Sequence, residues 1–332
     1  MRTKLEYEDA FVIVEDINGN LNRINIQMKS SSVFCPRTCL ETRYSLDLIK
    51  SIIDVKGPAW LCDEIAREED PLGLQTDLSI LLSSYLDKKD LINKKILDFG
   101  CGCGGSTLNL HRMFSNSLVI GVELEESFLS VANSRVKYYG YQNITFLKSP
   151  KPNKLPDQLG EFDCIFLSGV YEHLLPSERI PLMLQIWEHL KIGGIIFIVQ
   201  TPDKRFPFEA HTTKLPLINY LPDNIVLFLT NTFSKKVDHK ASWLELLRAG
   251  IRGTTPGEIR SVLSQSPFPP VILHPNSNKI KRQSDIWYSS ARMRLSERYR
   301  GIRKQLILLS IDFLVGTGVP IAPYISLAVR KS

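Results

Sequence analysis

Between Ile96 and Thr107 the chain reads ILDFGCGCGGST, which sets one acid, two cysteines and four glycines inside the eight positions from Asp98 to Gly105. A glycine-rich turn lets backbone approach a ligand closely, because glycine adopts conformations that other residues avoid. Two patterns fit at once. Gly100, Gly102 and Gly105 make the G-x-G-x-x-G fingerprint of a dinucleotide loop, while Asp98, Gly100, Gly102 and Gly104 make D-x-G-x-G-x-G. The carboxylate separates them. A pyrophosphate is held by bare amides at a helix N-terminus, so an acid two residues before the first glycine serves no dinucleotide, whereas a cationic amino-acid head group would want one. Glu123, closing the apolar run VIGVE, suits ribose hydroxyls in either class.

The cysteines invite a thiol chemistry, but two thiolates holding a metal at Cys101 and Cys103 would fill the space the ligand needs. They read as small fillers. Cys35, Cys39 and Cys62 offer three zinc-type ligands with no second pair beside them, and Cys164 lies in an apolar strand, so no metal is expected. Two histidines remain as acid–base candidates, since imidazole titrates near neutral pH. His173 stands in YEHLLP, where Glu172 either orients a ligand or caps a helix. His211 stands in FEAHTT, with Glu209 near enough to orient and charge it. Plain structural roles, a residue under the cofactor for His173 and a loop brace for His211, compete with the catalytic ones.

These residues need a scaffold, and the central pattern supplies one. KKILDFG, SLVIGVEL, NITFLKS, FDCIFLSG and GIIFIVQTP are short apolar runs with helical segments between most of them, including EESFLSVANSRVKYYG and SERIPLMLQIWEHLKIGG, the latter read as ending on a glycine cap. Alternation at this spacing predicts an α/β fold with a doubly wound, mostly parallel sheet. Before it, FVIVEDINGNLNRINI carries the Asn18-Gly19 hairpin signal, and Ser45 to Leu86 has helical periodicity, giving an N-terminal hairpin and helical cap over residues 1–90. Residues 91–332 then form the main domain, interrupted twice. A proline-rich, α-rich insert at about 203–253 has the character of an active-site loop, and a basic helical insert spans about 276–318. Thr255, Pro256 and Glu258 predict a capped helix, and PPVILH and YISLAVRK two closing strands, for seven in all.

At 332 residues with 43% hydrophobic content the chain can bury a full core unaided. Its charge of +6 is spread thinly except in the basic stretch from Ala291 to Lys304, which lacks the aromatic interleaving of RNA binders, so nucleic acid is not expected as a partner. The cysteine spacing and the absence of a leader pattern point to a reducing, cytoplasmic setting. Leu306 to Val329 is apolar but broken by Asp312, glycines and prolines, which favours a buried helix, a turn and a strand over a membrane span and leaves peripheral membrane contact as the lesser alternative.

ILDFGCGCGGST resembles the first motif of class I, Rossmann-like S-adenosylmethionine-dependent methyltransferases, and VIGVELEESFLSVAN resembles their second. FDCIFLSGVYEHL and LKIGGIIFIVQTP are similar to the fourth- and fifth-strand regions of the same family, so the likeness runs over about residues 94–202. The insert FEAHTTKLPLINYLP resembles a segment of uncharacterised bacterial members, some linked with saccharide modification. The resemblance implies a seven-stranded sheet and S-adenosyl-L-methionine as cofactor. It implies that Asp98, Gly100, Gly102 and Gly104 line the methionine portion, that Glu123 binds the ribose, and that Ser168 and Gly169 close the site. The family's usual acid or Asn after strand three is missing from FLKSPKPNKLP, which leaves backbone groups or Asp157 for adenine. The reaction this implies is methylation of an oxygen on a small-molecule or saccharide acceptor, with His211, His173 and Glu209 as catalytic candidates. An NAD-dependent oxidoreductase and a non-catalytic relative of the fold stay open as alternatives, as does the oligomeric state.

Overall fold

The computed structural model describes residues 2–30, 33–157, 159–237, 240–277, 280–298, 301–318 and 321–332. The N-terminal segment is a four-stranded antiparallel meander, β1 (Arg2–Glu6), β2 (Ala10–Asp16), β3 (Asn22–Met28) and β4 (Cys39–Thr42), where the sequence pattern predicts one hairpin. The Asn18-Gly19 turn does join β2 to β3, with Gly19 at φ 81°. The outer strands are short and half exposed, which left them without a periodic signal. Three helices follow: α1 (Leu46–Lys56), capped by Ser45, α2 (Leu61–Glu69) and α3 (Leu74–Tyr85).

The main sheet is built from β5 (Lys95–Phe99), β6 (Leu118–Glu123), β7 (Ile144–Lys148), β8 (Phe162–Ser168), β9 (Leu190–Pro202), β10 (Pro270–Ile272) and β11 (Tyr324–Lys331), in the order β10-β11-β9-β8-β5-β6-β7. β5 to β9 run parallel, and β10 and β11 antiparallel to their neighbours. This is the mostly parallel, seven-stranded Rossmann-like sheet that the alternation predicts. Its inner strands carry unbroken apolar runs because both faces are covered. The connecting helices are α4 (Gly105–Met113), α5 (Glu126–Tyr139), α6 (Pro176–Glu188), α7 (Asp223–Phe233), α8 (Trp243–Arg248), α9 (Pro256–Leu263), α10 (Gln283–Arg298) and α11 (Gly301–Gly316). α6 and α9 pack on one face, and α3, α4 and α10 on the other. The last strand is pinned by Lys331, whose buried ammonium donates to the carbonyls of Trp187 (2.8 Å), at the end of α6, and Leu190 (2.6 Å), at the start of β9. The order of strands reverses beside β5, and such a point in a parallel sheet opens a crevice at the strands' carboxyl ends.

Three local expectations change. α6 ends at Glu188, and the glycines of LKIGG lie inside β9 as one continuous strand. Glu172 caps no helix: it lies within Tyr171–His173, a single 3-10 turn. α11 is buried along one side only: Ile311 packs with Tyr288 of α10 and Ala322, while Ile302, Leu306, Leu309 and Phe313 are all more than half exposed along the other. Among the described residues no helix is long and apolar enough to cross a membrane.

Candidate active site

Two cavities meet at the carboxyl end of the sheet. The first, about 450 Å³, is walled by the loop after β5, the ends of β6 and β8, and Ser149 and Pro152 after β7. Gly100, Gly102 and Gly104 have φ of 71°, 54° and 83°, so the loop uses the left-handed region at alternate positions. At Gly100 a Cβ would sit 2.5 Å from Val170 Cγ2, which explains glycine there on steric grounds alone. At Gly102 nothing lies within 4 Å of a Cβ, so its backbone faces open space in the cleft. Glu123 also lines the cleft and is fixed there, its carboxylate accepting from Gly102 N (2.9 Å) and Leu124 N (2.7 Å). A carboxylate held rigidly at a strand end is suited to neighbouring hydroxyls. Ser168 and Gly169 stand on the opposite wall. Leu124, Phe128 and Leu174 add the apolar surface that a flat heterocycle requires.

Asp98 departs from its expected place. It is 1% exposed, forms no part of the cleft wall, and accepts on one oxygen from Ser106 Oγ and Thr107 Oγ1, both at 2.6 Å. Burial raises its carboxyl to about 6 against the opposing pull of these hydroxyls. Its visible role is to tie the end of β5 to the first turn of α4 and so hold the glycine loop. Gly104 likewise turns away from the ligand space: a Cβ there would meet Ala132 Cβ at 3.0 Å and Phe146 Cζ at 3.1 Å, so it allows α5 and β7 to close on the loop. Asp157 has an 83% exposed side chain paired with Lys154 and lies off the cleft, which removes it as an adenine contact.

The thiols are fillers in the structure too. Cys101 and Cys103 are 4% and 2% exposed, and burial pushes Cys103 up to about 12 and Cys101 well above its ordinary value. Neither is a thiolate at neutral pH. Cys101 Sγ would stand 2.9 Å from a Cβ on Gly121, and Cys103 packs into the core of the N-terminal cap.

The second cavity, about 370 Å³, meets the first at Arg67, Gly169 and His173. Its walls come from distant parts of the chain: Leu74 and Leu78 of α3, Ile286 and Trp287 of α10, and Tyr324 of β11. Asp77 and Arg294 pair across from α3 to α10. At its floor Gln200 sits at φ 60°, a strained conformation of the kind concentrated at functional sites. None of these residues stands out in sequence, because each is an ordinary position in its own helix or strand.

Glu172, His173 and His211 gather where the cavities join. The two imidazoles lie 5.4 Å apart, and Tyr324 stands 6.2 Å from His211. Burial, with the nearby His173, lowers His211 to about 4, so its ring is neutral at neutral pH. Glu209 does not orient it. The Glu209 carboxylate, 2% exposed, is taken up by the amides of His211 (2.8 Å), Thr212 (2.9 Å) and Thr213 (2.5 Å) and by Thr213 Oγ1 (2.8 Å). It braces the insert, a role visible only once the chain turns back on itself.

Residues 96–194 match the family described as a methyltransferase domain. The demethylmenaquinone methyltransferase of Lactococcus lactis subsp. lactis is 28% identical over 157 residues, which cover 47% of this chain and 59% of that protein. The tRNA (guanine-N(7)-)-methyltransferase of Candida glabrata is 28% identical over 169 residues, 45% of this chain and 59% of that protein. A solved S-adenosylmethionine-dependent methyltransferase from Clostridium acetobutylicum aligns at 17% identity with a TM-score of 0.34, covering 44% of this chain and 54% of that one. The chain thus spans under two thirds of the length of the curated relatives named here.

Proposed function

We propose, on the premise that residues 96–194 belong to the methyltransferase-domain family, that the chain transfers a methyl group from S-adenosyl-L-methionine to an oxygen of a small hydroxylated acceptor. The cofactor supplies an electrophilic methyl on a positive sulfur. Its nucleoside fits the first cavity, with Glu123 on the ribose and the apolar wall from Leu124 to Leu174 on the base. The methionine portion lies over Gly100 and Gly102, with Ser168 and Gly169 opposite. Asp98 acts on it from beneath the loop by fixing Ser106 and Thr107.

The observation that carries the acceptor reading is the second cavity. Its volume of about 370 Å³ falls in the range for small-molecule sites, and its mixed walls suit a partly apolar molecule with hydroxyls, a saccharide derivative included. The transfer is an in-line displacement. As the acceptor oxygen forms its bond to the methyl carbon, the carbon–sulfur bond breaks and sulfur keeps the pair. The acceptor proton must leave, and the Glu172, His173 and His211 cluster stands where the two cavities meet to assist its departure. A non-catalytic module would leave this second, adjoining cavity without a use.

A transfer assay with S-adenosylmethionine labelled at the methyl tests this reading against alcohols, phenols, saccharides, amines and bulk tRNA. Label is expected in a methyl ether of a hydroxylated small molecule. Label recovered only in tRNA or in an amine would overturn the assignment of the acceptor.

A further inference from the structure

We propose that Glu172, His173 and His211 form a binding site for one divalent transition-metal ion at the junction of the two cavities. One ligand atom from each residue lies within 4.8 Å of the others. Ligands about an ion with ~2.0 Å bonds stand roughly 3.3 Å apart, so the three must draw together by up to about 1.5 Å.

Three further observations point to an ion. Glu172 is 0% exposed, and its Oε1, the oxygen nearer His173 Nε2 at 3.9 Å, has no hydrogen-bond partner. A buried carboxylate oxygen without a partner is costly unless something positive meets it. The other oxygen is held by Thr201 Oγ1 at 2.8 Å, which fixes the carboxylate's orientation. His173 Nδ1 lies 2.7 Å from the carbonyl of Arg248. A carbonyl only accepts, so the ring proton is on Nδ1 and the Nε2 lone pair is free, the arrangement by which outer groups set a ligating imidazole. Lastly, Gly250, at φ 91°, is where a Cβ would come within 2.9 Å of both Glu172 Cγ and His211 Cδ2, so glycine is what allows these two side chains to approach.

Two imidazoles and one carboxylate leave coordination positions open, as in catalytic sites and unlike closed structural ones. The site stands on this geometry, and its use rests on the methyl-transfer reading. An acceptor hydroxyl bound to the ion would lose its proton to water more readily, and its oxygen pair would then attack the methyl carbon, so that the imidazoles serve as ligands and not as the base.

The test uses the full chain, stripped with a chelator and then titrated with Co²⁺ and Zn²⁺, with S-adenosylhomocysteine binding measured on the same samples. About one Co²⁺ per chain is expected, with visible ligand-field bands that Zn²⁺ bleaches. His211→Ala and Glu172→Gln should lose the bands while far-UV dichroism is kept, and Thr201→Val should weaken binding by about 10–100-fold. Cys39→Ser should leave the bands intact. Bands that survive His211→Ala, or that vanish in Cys39→Ser, would overturn the site, as would no uptake by a chain that binds S-adenosylhomocysteine. Uptake by a chain that does not bind it would uphold the site and overturn the functional reading instead.

Discussion

Glu123→Ala is expected to weaken S-adenosylhomocysteine binding by roughly 10²-fold, measured by isothermal titration. Hydrogen bonds to a charged group contribute about 1.5–3 kcal/mol each, and two ribose hydroxyls on one carboxylate place the loss near 3 kcal/mol or above, where each 1.4 kcal/mol is about tenfold. The same side chain braces the glycine loop through Gly102 N and Leu124 N, so some of the loss arises from a looser cradle. Glu123→Gln keeps an acceptor oxygen while removing the charge, and a smaller loss, on the order of tenfold, is expected. An affinity unchanged within about twofold in Glu123→Ala would remove the ribose from this end of β6.

Arg135→Ala is expected to destabilise the fold by roughly 3–5 kcal/mol, the cost of breaking one partner out of a buried pair. Arg135 on α5 is 0% exposed and donates to Glu64 Oε1 (3.0 Å), Glu64 O (3.1 Å) and Cys103 O (2.8 Å). One guanidinium therefore joins the helical cap, through α2, to the cofactor loop. Its removal leaves Glu64 facing a cavity with only Lys56, 3.8 Å away, as a counter-ion and frees the carbonyl of Cys103. Denaturant titration reads the shift in midpoint, and Arg135→Met with Glu64→Leu should recover part of it because the poorly compensated carboxylate is gone. A loss below about 1 kcal/mol in Arg135→Ala would mean that cap and loop are held by the remaining contacts, the Arg112–Glu68 pair between α4 and α2 among them.

The parallel core was legible because each of its strands is a short apolar run and each turn carries its own glycine or cap, as Thr255, Pro256 and Glu258 do for α9. Periodicity reports what a residue's own element requires, and no more. It could not reveal that Asp98 turns beneath the loop, since that depends on two hydroxyls eight and nine residues on meeting it in space. It mistook Gly193 and Gly194 for a helix cap because a glycine pair after a helix has that appearance, although here β9 runs through it. The exposed side of α11 reads as core in composition, because apolar residues look alike wherever they face. The acceptor cavity was invisible for a different reason. Leu78, Trp287 and Tyr324 are more than two hundred positions apart at the extremes and become neighbours only when β11 inserts beside β9 and α10 crosses α3. His173 and His211 were found by residue type, and the fold brings them together with Glu172. Glu209 was found the same way and does another job.

The most direct measurement of the central claim is the thermal shift of the intact chain with S-adenosylhomocysteine and, separately, with NAD. A ligand at 100 times its Kd stabilises the native state by about 2.7 kcal/mol. A clear rise in Tm with S-adenosylhomocysteine and none with NAD is the predicted result; a rise with NAD and none with S-adenosylhomocysteine would contradict it.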